Sequence, residues 1–160
     1  MSSRFRLSSR MAGRIEELGL DPAAVLRRAG LPPGLVSQGR VLLTTGEFFA
    51  LLQAVGEVSG DPAIGLKLGT ETRLDRLDAI SLVALSSARF GQALERMACY
   101  KRITCPEDID ICAGAGECSI RFCWLLAKQA EPDILVDLCF AWVLSIARLG
   151  TGTRVAPLRI

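Results

Sequence analysis

The chain has 160 residues, of which 50% are hydrophobic and 22% charged, with a formal net charge of +2 and an isoelectric point near 8.3. This length suits one domain with one good core, and the mild charge argues against a protein that coats nucleic acid. The sequence contains no histidine, which excludes Ser-His-Asp and Cys-His nucleophilic systems and removes the commonest transition-metal ligand.

Two helices are predicted at the start of the chain. Apolar residues recur there at intervals of three and four, at Leu7, Met11, Ile15 and Leu18. This spacing predicts an amphipathic helix over 4–18 that ends at Gly19. Asp21 is then a suitable N-cap, with Pro22 at the first helical position, and the second helix is expected to end at Gly30.

The segment 11–29 also has the spacing of a helix-turn-helix, in which a glycine makes the turn between two helices. Arg27 and Arg28 would then lie near the recognition helix. That helix, however, presents Ala23, Ala24 and Val25 where a DNA reader needs side chains that reach base edges. We therefore favour ordinary helix packing and keep DNA binding by 11–29 as an alternative.

The best-defined helix is predicted to begin at Thr44, after a segment, 41–43, that is too short to classify. Thr44 and Glu47 have the spacing of a capping box, an apolar stripe follows, and Gly60 ends the helix. A short helical turn begins next, in which Gly65 and Gly69 would allow a close approach or a positive φ.

The following segments change from helical to strand spacing. We expect a largely buried helix over 77–85, and another that Ser86 or Ser87 caps. Polar and apolar residues then alternate over 108–111 and 118–124, on either side of a glycine-rich turn, and this pattern predicts a β-hairpin.

A helix that is apolar almost all round is predicted from Pro132 toward Arg148. Its uninterrupted apolar stretch is shorter than the ~20 residues that a bilayer requires, so we expect no membrane span. Such a helix must be covered, either inside one subunit or at an interface. A mean hydropathy of +0.34 favours a homodimer. The candidate interface residues, with Trp142 as the leading anchor, are Phe140, Trp142, Val143 and Ile146.

The cysteines are predicted to be reduced and mostly buried. There are six, and none forms the Cys-x-x-Cys pair of a zinc ribbon or redox site. The arginine-dotted start of the chain lacks the pattern of a secretory signal, and the apolar content suffices for a core without disulfides. We therefore expect structural cysteines and no metal site.

Four short segments carry a resemblance to a known family. They are Thr44-Thr45-Gly46-Glu47, Asp61-Pro62-Ala63-Ile64-Gly65-Leu66-Lys67-Leu68-Gly69, Ala93-Leu94-Glu95-Arg96-Met97 and Tyr100-Lys101-Arg102. Their order resembles the N-terminal effector domain of AraC-type transcription regulators, in the group called arabinose-binding. The resemblance covers nearly the whole chain.

In such regulators, the domain that this chain resembles senses a small molecule or mediates self-association, and helix-turn-helix units further along bind DNA. The resemblance implies an α+β fold, with N-terminal helices around a small antiparallel sheet that holds the 108–125 hairpin. Residues 1–160 would then form one cytoplasmic effector-binding and dimerisation domain without a cofactor. The strand predicted at 154–160 looks unfinished, so DNA contact is expected only through a C-terminal part absent here.

Pockets are mostly apolar with a few convergent polar groups, which directs the search for a ligand site to the hairpin and the end of the preceding helix. The candidate ligand-binding residues are Tyr100, Lys101, Arg102, Arg121, Phe122 and Trp124. An interaction domain without a ligand is the alternative. Catalysis is disfavoured, since the carboxylates of Glu107, Asp108 and Asp110 have no nucleophile or metal partner beside them.

Overall fold

The computed structural model describes residues 3–8, 10–37, 41–70, 77–114 and 116–159, which form a mixture of helices and two separate two-stranded antiparallel sheets. In chain order the elements are β1 (Phe5–Leu7), α1 (Met11–Glu17), α2 (Pro22–Arg28), a 3₁₀ turn (Leu35–Ser37), β2 (Val41–Leu43), α3 (Thr45–Ser59), α4 (Ile64–Gly69), α5 (Ala79–Leu85), α6 (Phe90–Thr104), β3 (Glu107–Gly114), β4 (Glu117–Trp124) and α7 (Asp133–Thr151). The predicted α+β class is confirmed.

The first predicted helix is shorter than expected, because its beginning is a strand. Phe5 and Leu7 are buried while Arg6 between them is exposed, which is the alternation of a half-buried strand. β1 pairs with β2 in the register Phe5↔Leu43 and Leu7↔Val41. The helical spacing of Leu7 with later residues is therefore coincidental, and α1 begins only at Met11.

The capping predictions for α2 and α3 are confirmed. Asp21 accepts hydrogen bonds from the backbone N–H groups of Ala23 and Ala24. At α3 the Glu47 backbone donates to Thr44 Oγ1 (3.2 Å), and the Thr44 backbone donates to Glu47 Oε2 (2.7 Å). This hydrogen bond to the Thr44 backbone holds the pKa of Glu47 below its ordinary value. Both helix starts are thus fixed by local sequence.

α4 lies directly against α7, and two glycines make this approach possible. A Cβ atom placed on Gly65 would lie 2.6 Å from the carbonyl oxygen of Ile134. On Gly69 it would overlap the carbonyl oxygen of Leu138. Both glycines have helical rather than positive φ, so of the two predicted roles it is the close approach that is confirmed.

The predicted hairpin is β3–β4, and its two faces differ as alternation requires. Asp108, Asp110 and Arg121 share the outer face, where Asp110 is opposite Arg121. The inner face packs on two apolar clusters. Trp124 contacts the rings of Phe5, Phe48 and Phe49 in the first cluster, with centroid distances of 5.8, 6.4 and 5.6 Å.

The second cluster joins α5, α6 and α7 through Ala84, Ala93, Leu94, Met97, Val143 and Ile146. α7 contributes to both clusters, since Leu135 and Cys139 belong to the first and Val143 and Ile146 to the second. α7 has 19 residues and is apolar and long enough to cross a membrane, but 44% of its most apolar stretch is buried against the rest of the protein. It packs as a core helix.

Three smaller predictions about the second half of the chain are wrong. Leu82 on α5 is 53% exposed, so this helix is amphipathic rather than largely buried. The N-cap of α6 is Arg89 and not a serine. Residues 154–159 are not in a strand, because in the described part of the chain no neighbouring strand offers them backbone partners, and Ile160 lies outside the described residues.

The close contact of α4 with α7 gives the first testable prediction. Gly69→Ala should lower the free energy of unfolding by about 1–3 kcal/mol, because a new Cβ would force two helix backbones apart. Gly46→Ala in the first turn of α3 is the control, since a Cβ there meets no atom within 4 Å. Urea unfolding measures both. A Gly69→Ala protein as stable as Gly46→Ala would contradict the packing account.

Candidate functional site

A cavity of about 570 Å³ lies between the two apolar clusters. Its walls come from β1, α1, α3, α4, α5, α6 and α7. Most of the surface is apolar and is formed by residues that include Phe5, Met11, Leu68, Ile80, Leu138 and Trp142. Gly69 also lines it, so the close approach of α4 to α7 shapes one wall.

The cavity wall contains one member of a buried ion pair. Lys101 on α6 donates from Nζ to Glu107 Oε2 at 2.7 Å, and the side chains are 17% and 0% exposed. Burial alone lowers the pKa of the Lys101 ammonium, but attraction by the Glu107 carboxylate outweighs it and raises this pKa above its ordinary value. Lys101 is therefore a charged hydrogen-bond donor in the cavity wall.

Lys101 also contacts Trp142, which is held in place from α5. The ammonium lies 5.2 Å from the centroid of the Trp142 ring, within the range of a cation–π contact. The indole Nε1 of Trp142 donates to Ser81 Oγ at 2.9 Å. The second oxygen of Glu107, Oε1, is buried and has no hydrogen-bond partner among the described residues. The Glu107 carboxylate is thus incompletely satisfied by hydrogen bonds.

The part of the cavity lining that comes from β1 and α1 is basic. Arg6 and Arg10 line it and are exposed, while Arg14 is partly buried. Nη2 of Arg14 donates to the carbonyl oxygens of Lys67 (2.7 Å) and Thr70 (2.8 Å). These carbonyl groups belong to the end of α4, where helices leave acceptors unpaired. Arg14 therefore fastens α1 to α4 at the cavity.

The cysteines are distributed differently from the prediction. Only Cys105 and Cys139 are buried, and both line the cavity, whereas Cys99, Cys112 and Cys118 are exposed and Cys123 is intermediate. All six are free thiols. Burial raises the pKa of Cys139 to about 12, so this thiol stays protonated and packs as a small apolar side chain.

The structure separates the predicted ligand-binding residues. Lys101 lines the main cavity, whereas Arg121, Phe122 and Trp124 border a smaller cavity of about 210 Å³. Arg102 faces outward and binds Asp108 with two hydrogen bonds, of 2.9 and 2.8 Å. Tyr100 lies half-buried on α6 and lines neither cavity. These six residues do not form one pocket in the described chain.

The predicted interface residues are mostly engaged inside the chain. Val143 and Ile146 are buried in the second cluster, and Trp142 lines the cavity. Phe140 packs edge-on against Phe122, with a centroid distance of 5.4 Å. Phe140 and Trp142 keep partly exposed side chains. Dimerisation through this helix remains a prediction.

The acidic residues around the start of the hairpin are not arranged for catalysis or metal binding. Glu107 lies on the inner face of the hairpin and Asp108 and Asp110 on the outer, so the three carboxylates do not share a cleft. A hydrogen bond from Arg102 lowers the pKa of Asp108 and keeps it ionised. Within the described residues, no group of three acidic or cysteine side chains could hold a metal.

The segment 11–29 does form two helices, α1 and α2, but the second is built for packing. Its Val25 and Leu26 are buried against α3, and Arg28 pairs with Glu57 of α3. The exposed residues Ala23 and Arg27 leave few side chains that could read bases. This packing supports the structural interpretation of the segment.

The helical spacing of apolar residues in α6 could have identified Lys101 as a buried cation. Leu94, Met97 and Lys101 are spaced three and four apart, so Lys101 continues the buried stripe of α6. A cation in such a stripe needs a buried partner. Ser81, Ser145 and Arg14 gave no comparable signal, because the cavity brings them together from separate elements.

The buried pair gives the second prediction. Lys101→Met should lower the free energy of unfolding by about 3–5 kcal/mol near neutral pH, because it leaves the Glu107 carboxylate buried without a partner. The double variant Lys101→Met/Glu107→Leu removes both charges and should recover most of that loss.

Urea unfolding measures these variants, with Lys128→Met as a control at an exposed position. A double variant as unstable as Lys101→Met would contradict the importance of the uncompensated charge.

Comparison with known proteins places residues 19–160 in the family described as the arabinose-binding domain of AraC transcription regulator, N-terminal. Two similar relatives are both named HTH-type transcriptional regulator VirS, from Mycobacterium tuberculosis strains CDC 1551/Oshkosh and ATCC 25618/H37Rv. Each is 25% identical over 119 residues, which is 74% of this chain and 35% of the relative. The chain thus spans about a third of the length of these relatives.

Proposed function

This chain belongs to the family of effector-binding, arabinose-binding-type N-terminal domains of AraC transcription regulators, and we propose that the cavity of about 570 Å³ between its two apolar clusters is the effector site. Small-molecule sites commonly enclose 300–1,000 Å³ and combine apolar walls with a few convergent polar groups. The cavity beside Lys101 fits that description, and it is the observation that carries the proposal.

Its position suggests how a bound molecule would act on the protein. The walls include β1 and α4, which pack with the first cluster, and α5 and α6, which pack with the second. A ligand would contact both clusters at once and would favour the arrangement that closes around it. Ligand binding shifts such an equilibrium by its differential affinity for the two arrangements.

The remaining elements of the proposal concern the whole protein. A regulator acts on DNA, so family membership implies an intracellular location, and we propose the cytoplasm. DNA binding would belong to a part of the protein outside this chain, as the name of the VirS relatives suggests for them.

Homodimerisation is proposed through the exposed parts of Phe140 and Trp142, and sedimentation as a monomer at all concentrations would contradict it.

The effector site is tested by filling the cavity. Ser145 on α7 lines it beside Trp142, so Ser145→Phe should weaken binding of the neutral fluorophore N-phenyl-1-naphthylamine about tenfold or more. Ser145→Ala is the matched control, since it removes the hydroxyl but leaves the space, and it should bind the fluorophore like the wild type.

Fluorescence titration gives the dissociation constants, and circular dichroism establishes that each variant is folded. If folded wild-type protein does not bind the fluorophore, or if Ser145→Phe binds it unchanged, this cavity is not the effector site.

A further inference from the structure

We infer that the effector is an organic anion with an apolar body rather than a neutral sugar. This inference rests on the cavity between the two clusters being the effector site, as proposed above. It concerns the chemical class of the ligand and follows from the side chains that line the cavity.

The walls are poorly suited to a sugar. Phe5, Met11, Leu68, Ile80 and Leu138 offer no hydrogen bonds over most of the surface. Each hydroxyl of a pentose that loses water without gaining a partner costs free energy. An aromatic or aliphatic body would instead bury apolar surface against the same side chains.

The polar groups of the cavity are mainly donors. Lys101 has three N–H groups, of which Glu107 accepts one. Ser81 Oγ already accepts the indole N–H of Trp142, which leaves the serine proton for an acceptor. Asp78 is an acceptor in the wall, but its Oδ1 accepts the backbone N–H of Ser81. Donors of this kind select ligands that carry carboxylate, carbonyl or ether oxygens.

The charges favour an anion and indicate where it lies. Among the described residues that line the cavity, four are cationic, Arg6, Arg10, Arg14 and Lys101, and two are acidic, Glu17 and Asp78. Glu107 neutralises Lys101 and Glu17 pairs with Arg14 at 3.2 Å, so the net positive charge of these lining residues comes from β1 and α1. Arg6 and Arg10 are exposed, and an acidic group beside them would keep part of its hydration.

Arg14 is a fixed part of the wall beside α1. Its guanidinium is held by the carbonyl oxygens of Lys67 and Thr70 and is paired with the Glu17 carboxylate at 3.2 Å, so Arg6 and Arg10 are the cations assigned to the ligand. The acidic group therefore belongs beside α1, the apolar body on Leu68 and Leu138, and a neutral oxygen of the ligand beside Lys101.

Two fluorophores that share an anilinonaphthalene body test this assignment. 1-Anilinonaphthalene-8-sulfonate carries a negative charge, and N-phenyl-1-naphthylamine does not. The wild type should bind the sulfonate about tenfold more tightly than the neutral compound at low salt, and the ratio should shrink as salt screens the arginines. L-Arabinose at millimolar concentration should displace neither.

Charge reversal locates the anion. Arg6→Glu/Arg10→Glu should weaken binding of the sulfonate about tenfold or more while changing that of the neutral fluorophore less than about twofold. The control Arg27→Glu/Lys128→Glu changes the net charge equally at exposed positions outside the cavity and should leave both affinities unchanged. Should the first pair unfold, Arg6→Gln/Arg10→Gln should show a smaller effect of the same sign.

The outcomes separate the two proposals. The proposal of an anionic effector is overturned if both fluorophores bind with equal affinity. It is also overturned if the control pair of substitutions reduces sulfonate affinity as much as the Arg6/Arg10 pair does. Displacement by arabinose does the same. In each of these cases the loss of neutral-fluorophore binding in Ser145→Phe would still support the site. Failure of the folded wild type to bind the neutral fluorophore overturns the site and, with it, the assignment of an anionic effector.

Discussion

Two glycines one helical turn apart let the backbone of α4 lie against that of α7, and much of the molecule is arranged around this contact. Gly65 faces the carbonyl of Ile134, and Gly69 faces that of Leu138. Because α4 is fixed there, its terminal carbonyl groups are in reach of Arg14, which in turn holds α1. The same contact sets Leu68 and Leu138 as neighbouring walls of the cavity.

The buried pair of Lys101 and Glu107 connects the hairpin to that cavity. Glu107 is the first residue of β3, and Lys101 lies one turn from the end of α6. Removing two charges from water opposes folding, and their attraction repays this only with good geometry. The pair is therefore poor evidence of a gain in stability. The pair instead fixes the position of the Lys101 ammonium in the cavity wall.

The sequence correctly predicted the features that depend on residues close to one another in the chain. The capping box of Thr44 and Glu47, the Asp21 cap and the hairpin alternation all concern residues a few positions apart. β1 was missed because its partner β2 lies more than thirty residues away, and a three-residue strand has too little pattern of its own.

The predicted ligand-binding residues do not share one pocket, for a related reason. Neighbours on a helix or hairpin point to different faces, and a cavity collects side chains from distant elements.

α7 and the hairpin are the two connections between the apolar clusters in the described part of the chain. The first half of α7 belongs to one cluster and its second half to the other, and Phe122 of the hairpin packs on both. Cooperative unfolding of the two clusters therefore relies on the helical turn from Cys139 to Val143 together with the packing of Phe122. If both connections loosen, the clusters become separate units, and amide exchange in α5 and α6 would no longer follow exchange in α3.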